Sequence, residues 1–359
     1  MAPLWGTAVV LGSFGLAWLL NASQPEVYDR LSQEDGWIEW STVWAFLVAC
    51  GLWLRSARRE GRHAWALAFP LAVAAFCFLV AMEEMSWGQR LLGAQAPDYF
   101  LEHNSQLEAN LHNLASKDLR HLALSAVILG FGVGLPVVRR IPALGPLLDR
   151  LGVVAPAFAL FPAFLSCFVL YLLYPWRLTG EWVELGLGGA VLFFGLQQFP
   201  GGRRGVGVAT LATLGVAGAG WATTAVTRSV EAAPEMVAQA RIELEALNQD
   251  HRAGLLRASC GTHKRIYSFL SDGADSSEVF GQGAFGALVQ QGLPTERARF
   301  YLDPWHTPYW LLDECAEDGS RRIAFYSFGP NRARDGDHWA LGGDDVGITV
   351  FEWRAPREE

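Results

Sequence analysis

From the N-terminus to about Arg228, apolar runs of near-spanning length alternate with short polar loops. Past Arg228 the apolar positions are scattered at helical and strand spacing, with no run long enough to cross a bilayer. A spanning helix needs roughly 20 mostly apolar residues. Seven stretches approach that length: 4–21, 37–54, 64–82, 121–138, 153–174, 181–198 and 206–227. The pattern predicts a membrane all-α bundle of seven transmembrane helices over 1–228 and an extracytoplasmic α+β domain over 229–359. No Lys or Arg precedes the first run and no small-residue cleavage pattern follows it, so it is expected to persist as a helix instead of leaving as a signal peptide. Trp37, Trp40, Trp87, Trp176 and Trp182 sit near the ends of these runs, the usual place for interfacial aromatics.

Charge orients the helices. The segment "RSARREGR" holds four arginines, "RRIPALGPLLDR" three and "GGRR" two, while the alternate loops are richer in acids. The positive-inside rule then puts the N-terminus in the cytoplasm and the tail outside, in the periplasm of a bacterial inner membrane. Acids and bases number 15 and 15 before the division and 21 and 13 after it, so the net charge of −8 belongs to the tail. An acidic tail excludes a nucleic-acid partner, which needs a basic face.

Candidate chemistry gathers on the outer loops. "QEDGWIEW" supplies Glu34, Asp35 and Glu39, the last within the start of the second helix. "EEMSWGQR" supplies Glu83 and Glu84 at the edge of an apolar run. In "PDYFLEHNSQLEANLHN", Asn104, Glu108 and His112 recur every four residues, which predicts a short helix with the three on one face. Carboxylates with a histidine serve as general acid and base or ligate a divalent metal. Acids at helix ends are equally what solvation, or pairing with Arg90 and Arg120, would leave there. The pattern over 33–113 resembles one found in uncharacterised multi-spanning bacterial membrane proteins, a resemblance that carries no reaction.

In the tail, Met236, Ala240, Leu244 and Leu247 form an amphipathic stripe, predicting a helix close behind the seventh span. Phe285 and Leu288 suggest a short helix within a Gly- and Ser-rich stretch. "YWLLDEC", "AEDGS" and "RRIAFYSFG" read as strand, turn and strand. Pro304 fixes its own φ, Asp303 is suited to bonding nearby amides, and Trp305 and Tyr309 supply an apolar anchor.

The stretch "YLDPWHTPYWLL … IAFYSFGPNRARDGDHWALGGDDVGI" resembles the C-terminal domain of the major pseudopilin of type II secretion. Asp303, Pro304, Trp305, Pro308 and Tyr309 match its turn; Ser327, Gly329, Gly342 and Gly343 match its loop, and Asp344 or Asp345 the closing acid. The resemblance covers roughly 205–350, with its specific motifs in 301–348. It implies a pseudopilin-like fold, a long helix plus a small antiparallel sheet. It also implies a structural calcium, with Asp335, Asp337, Asp344 and Asp345 as candidate ligands, although Arg332 and Arg334 stand where the family has its first acid. Thr210 replaces the acid expected after the glycine of "RRGVGV", so no processing by a prepilin peptidase is expected.

Cys50, Cys77 and Cys167 lie in spans and behave as small apolar residues. Cys260 and Cys315 share the tail and are candidates for one disulfide. The chain contains no Walker loop, GxSxG elbow, HExxH helix or paired CxxC, and "GFGVG" falls inside a span, where its glycines favour close helix approach. Two functions fit. One is a non-catalytic envelope component of a secretion or pilus-like machine, its tail binding a protein partner. The other is a membrane enzyme acting on a lipid-linked or periplasmic substrate, with Glu83 or Glu84 as acid or base and Glu108 and His112 as metal ligands or proton carriers. A transporter is disfavoured by the lack of a repeat and of mid-span charges.

Overall fold

The structure is a computed structural model and describes the chain outside residues 34, 59–63, 90, 93, 95–96, 98, 101–107, 116, 200–202, 255–258, 267–302, 306, 332–333, 337–340 and 354–359. The chain divides into two compact units. One comprises Met1–Leu92 with Asn110–Val226, the other Gly93–Ala109 with Thr227–Glu359.

The first unit is helical. Its elements are α1 (Ala2–Ser23), α2 (Pro25–Ser32), α3 (Trp37–Ala57), α4 (Ala64–Glu84) and α5 (Lys117–Val127). A π-helical segment, Ile128–Gly134, leads into α6 (Leu135–Val138). Then follow α7 (Gly145–Arg150), α8 (Phe161–Leu173), α9 (Thr179–Leu196) and α10 (Arg203–Glu231), the last of which runs on into the second unit. Helices thus occur at all seven expected positions. Among the described residues five rods are long and apolar enough to cross a membrane: Ala2–Ser23, Trp37–Ala57, Ala66–Glu84, Asp118–Val138 and Arg204–Glu231. The apolar helix Phe158–Leu173 is shorter, and Glu181 and Glu184 lower the apolarity of α9.

The middle of this unit is α9, which packs against α1, α3 and α8 and is buried on most sides. From Leu185 onward the helix is apolar or glycine on every side, which suits such a place. Its small residues set the spacing: a Cβ on Gly186 would lie 2.4 Å from the Phe14 ring, and one on Gly195 3.3 Å from Leu52. Phe194 completes the packing with Trp53 and Phe131, at centroid distances of 4.6 and 5.0 Å. Gly132, in the π segment of the "GFGVG" stretch, has the expected close approach, since a Cβ there would meet Phe164 at 2.2 Å. Two of the tryptophans expected at the interface are core residues. Trp40 and Trp182 are buried, the latter because its indole N–H donates to Ser32 Oγ at 2.8 Å and its ring stacks on Tyr28.

In the second unit α11 (Pro234–Arg252) lies on an antiparallel sheet of order β1 (Thr262–Arg265), β2 (Trp310–Cys315), β3 (Arg321–Ser327) and β4 (Val346–Trp353). Pro234 sits at the start of α11, where a missing N–H costs nothing. The stripe of Ala240, Leu244 and Leu247 is buried against Leu311, Ile323, Phe325 and Val346, with Met236 at its margin. The expected hairpin is β2–β3, in register Trp310↔Tyr326 to Cys315↔Arg321. Cys260 and Cys315 are joined in a disulfide. The stretch around Phe285 and Leu288 lies outside the described residues.

Candidate functional site

Helix α4 ends at Glu84, and the chain then turns through Ser86, Trp87 and Gly88, all three with positive φ (45°, 56° and 81°). Left-handed backbone at a non-glycine residue costs of order 1–3 kcal/mol, and such strain persists only where the surroundings hold it. Glu83 supplies part of the hold. Its Oε1 accepts the Trp87 indole N–H at 2.8 Å. Its Oε2 accepts the backbone N–H groups of Leu111 and His112 at 2.6 and 2.9 Å and lies 3.4 Å from His112 Nδ1. Asn110 Nδ2 donates to Ser86 Oγ at 3.1 Å, a second tie between the same two segments. Both oxygens of Glu83 are therefore engaged, and its carboxylate works as a clamp on the end of α4.

Glu83 and His112 meet; Glu84 closes α4 beside them; Glu108 is buried but belongs to the second unit. The helix expected to align Glu108 with His112 is absent between them. The chain bends at Glu108, Ala109 and Leu111, and His112 opens a three-residue 3₁₀ turn. Glu83 captures the Leu111 and His112 amides, which removes both from any helical ladder. Asn104, Glu34 and Arg90 lie outside the described residues. Glu39 stands in the first turn of α3 and accepts the backbone N–H of Asp35.

One residue of this region went unnoticed in the sequence. Glu184, one turn into α9, interacts electrostatically with His112 and Arg120, and Arg120 also donates to Asn113 Oδ1. Tyr171 is within electrostatic reach of both Glu184 and Arg120, and its ring stacks on His121 at 4.7 Å. An acid in the opening turns of an otherwise apolar run is a signal that could have found it.

In the second unit the turn and loop motifs are tied together. Asp303 Oδ1 accepts the N–H groups of Trp305 and Thr307 at 3.0 and 2.7 Å, while Oδ2 accepts the hydroxyls of Thr307 and Ser327. Trp305 donates its indole N–H to Glu231 O at 2.7 Å, and Arg228 donates to Pro330 O at 3.0 Å. The turn and the loop are thus both pinned to the last turn of α10. Tyr309 donates to Glu243 Oε2 at 2.6 Å across the core; burial raises both groups above their ordinary ranges.

The acidic loop places Asp335, Asp344 and Asp345 together. Asp345 Oδ2 accepts the N–H groups of Asp335 and Gly336 at 3.2 and 3.1 Å, and Asp335 Oδ2 accepts that of Asp344 at 3.3 Å. Gly329 and Gly343 have positive φ, and a Cβ on either would collide with Asp344 O (2.1 Å) or Asp335 Oδ2 (2.0 Å). Burial, then the neighbouring Asp335 carboxyl, pushes Asp344 up to about 6; burial also raises Asp345. The Oδ1 atoms of both are buried without a hydrogen-bond partner. Orphaned carboxylate oxygens on irregular backbone fit a hard cation such as calcium. The acids do not converge as closely as Cys260, Asp313 and Cys315, among the described residues the one group of three ligand atoms near enough to share an ion. That group is spent on the disulfide and on Arg321, which donates to both Asp313 oxygens at 2.8 and 2.6 Å. Asp337 and Arg332 lie outside the described residues.

Comparison of this chain with protein-family models, with characterised proteins and with solved structures finds no match in any of the three.

Proposed function

We propose that the protein is a bacterial inner-membrane envelope protein of seven spans, with its N-terminus cytoplasmic and its tail in the periplasm. The tail is a pseudopilin-like domain, calcium-braced through Asp335, Asp344 and Asp345, and the whole acts as a non-catalytic component of a secretion or pilus-like machine. One observation carries this reading. The apolar helix α10 is followed, after a break at Ala232 and Ala233, by α11, which lies on a four-stranded antiparallel sheet, and the Asp303–Trp305 turn is bonded to Ser327 of the following loop. These are the two motifs on which the resemblance rests. Calcium, when bound, would neutralise the acids of that loop. A photo-crosslinking residue at the exposed Ile242 of α11, used in living cells, tests the partner. Adducts with the subunits of a secretion pseudopilus support the reading; adducts with lipid or with its own copies alone overturn it.

A specific observation favours a second reading, an enzyme at the outer membrane face. All five non-glycine residues with positive φ among those described, Asp35, Ser86, Trp87, Tyr174 and Leu178, flank helix ends that alternating spans put on that one side. Strain concentrated so is found at sites that work. Glu184, Arg120 and His112 would then carry charge or protons for a lipid-linked substrate, with Glu83 and Glu84 as their frame. Turnover that survives Glu184→Gln and His112→Ala together would remove this reading.

A further inference from the structure

Between α6 and α8 the chain makes a hook, residues 139–152, that the functional readings above do not use. It is firmly held. Arg139 donates to Gly145 O at 3.3 Å and pairs with Asp149, closing the hook on itself. The Arg140 guanidinium lies 3.6 Å from the centre of the Phe158 ring. Gly152, with φ of 68°, backs onto α4 so closely that a Cβ would fall 2.5 Å from Ala66 Cα. Yet this fixed segment turns its apolar side chains outward: Ile141 is 42 % exposed, Leu144 36 %, Leu147 48 % and Leu151 53 %. They recur every three or four residues. A mobile loop would fold such side chains inward; a clamped one needs something to cover them.

We propose that the hook is an in-plane membrane anchor that docks on the anionic phospholipids of the cytoplasmic leaflet. It rests on the reading that the flanking rods, Asp118–Val138 and Phe158–Leu173, cross the membrane. Both rods are apolar; the first ends at Val138, directly before the hook, and the second begins at Phe158, six residues after Gly152, which keeps the hook near the bilayer boundary. Its charge fits the same surface. The segment holds three arginines and one acid, so its net charge is 3 − 1 = +2. Asp149 is paired with Arg139, which leaves Arg140 and Arg150 as the excess cations beside an exposed apolar stripe. An apolar face flanked by arginines enters the headgroup boundary, with the leucines below the phosphates and the guanidinium groups among them.

The experiment uses the full chain reconstituted in lipid nanodiscs, with a nitroxide on Leu147→Cys and, separately, on Leu165→Cys in α8. With phosphatidylglycerol present, the label at 147 is expected to be more accessible to oxygen than to a water-soluble nickel complex. The double charge reversal Arg140→Glu with Arg150→Glu, or an all-phosphatidylcholine disc, should shift it toward the nickel complex. Oxygen preference at 165 with water exposure at 147 in every lipid overturns the hook and leaves the span intact. Water exposure at 165 as well overturns the span reading itself. Dipolar broadening between labels at 147, with low access to both reagents, would make a second copy the occupant and overturn the lipid assignment.

Discussion

Glu83 closes on His112 from 29 positions away, its Oε2 2.9 Å from the backbone nitrogen and 3.4 Å from the ring Nδ1. A carboxylate that receives backbone N–H groups from a distant segment fixes where that segment begins. Here it sets the entrance to the 3₁₀ turn at His112 and, through Trp87, the strained exit from α4. The pair orders the backbone on both sides of the loop, whichever chemistry the region performs.

Glu83→Gln should therefore destabilise the membrane unit. The amide keeps one acceptor oxygen, loses the charge that strengthens the bonds, and turns an NH₂ toward backbone donors. Losing charge-assisted bonds of this kind costs about 1–3 kcal/mol, and Glu83→Ala should sit at the upper end. Thermal unfolding of the detergent-solubilised protein checks it. A midpoint unchanged in both variants would mean that Trp87, Leu111 and His112 are held by other contacts.

Asp313 and Arg321 should respond unequally to substitution. The Asp313 side chain is wholly buried, whereas that of Arg321 is 37 % exposed. Arg321→Ala strands a buried carboxylate, which costs about 3–5 kcal/mol. Asp313→Asn leaves a guanidinium that water can reach, and should cost distinctly less. Denaturant unfolding of the two variants, followed by a signal from the tail, gives the order; a reversed order would show that the pair's worth lies in the arginine.

The helical frame and the tail's β2–β3 hairpin were legible because their periods are long and repeated. The stripe at Ala240, Leu244 and Leu247 could only be a helix face, and "YWLLDEC" and "RRIAFYS" pair as their spacing suggests. The outer loop was not legible. Asn104, Glu108 and His112 have helical spacing, yet the Leu111 and His112 amides are drawn away by Glu83, and sequence distance hides that. Trp40 and Trp182 look interfacial by position but are buried, Trp182 because Ser32 and Tyr28 offer a hydrogen bond and a ring. Glu184 was overlooked since one acid hardly alters an apolar window; its significance comes from Arg120 and His112, which are remote in sequence.

The Cys260–Cys315 bond closes a loop of 55 residues. Loop closure of that length is worth about 4 kcal/mol by chain entropy, within a usual range of about 2–4 for measured bridges. Replacing both cysteines by serine should lower the tail's transition and leave that of the membrane unit in place. Calorimetry of the full-length protein with and without a thiol reductant separates the two. A tail transition indifferent to reduction would place the stability in the core around Trp305 and Phe325 alone.

The acidic loop predicts an unusual pH dependence. Asp344 titrates at about 6 in the fold, above the value of about 3.9 of a free aspartate. Between those values Asp344 binds more protons in the folded tail than in the unfolded chain, so its contribution to stability rises as pH falls through about 6 and levels off near about 4. Asp345 and Glu243, both raised, act in the same direction, while the exposed Asp318, held low by the Ser320 N–H, acts weakly against them. With chelator present, the tail's calorimetric transition should therefore move up on going from about pH 7 to about pH 5. Calcium at pH 7 should raise it too, because a bound cation relieves the same crowding of carboxylates, and protons would then compete with it, flattening or reversing the acid effect. Asp344→Asn should reduce the pH response and weaken the calcium response together. A transition that falls on acidification would show the three acids to be comfortably ionised, and one that rises on acidification yet ignores calcium would leave the loop as a buried carboxyl pair with no ion to hold.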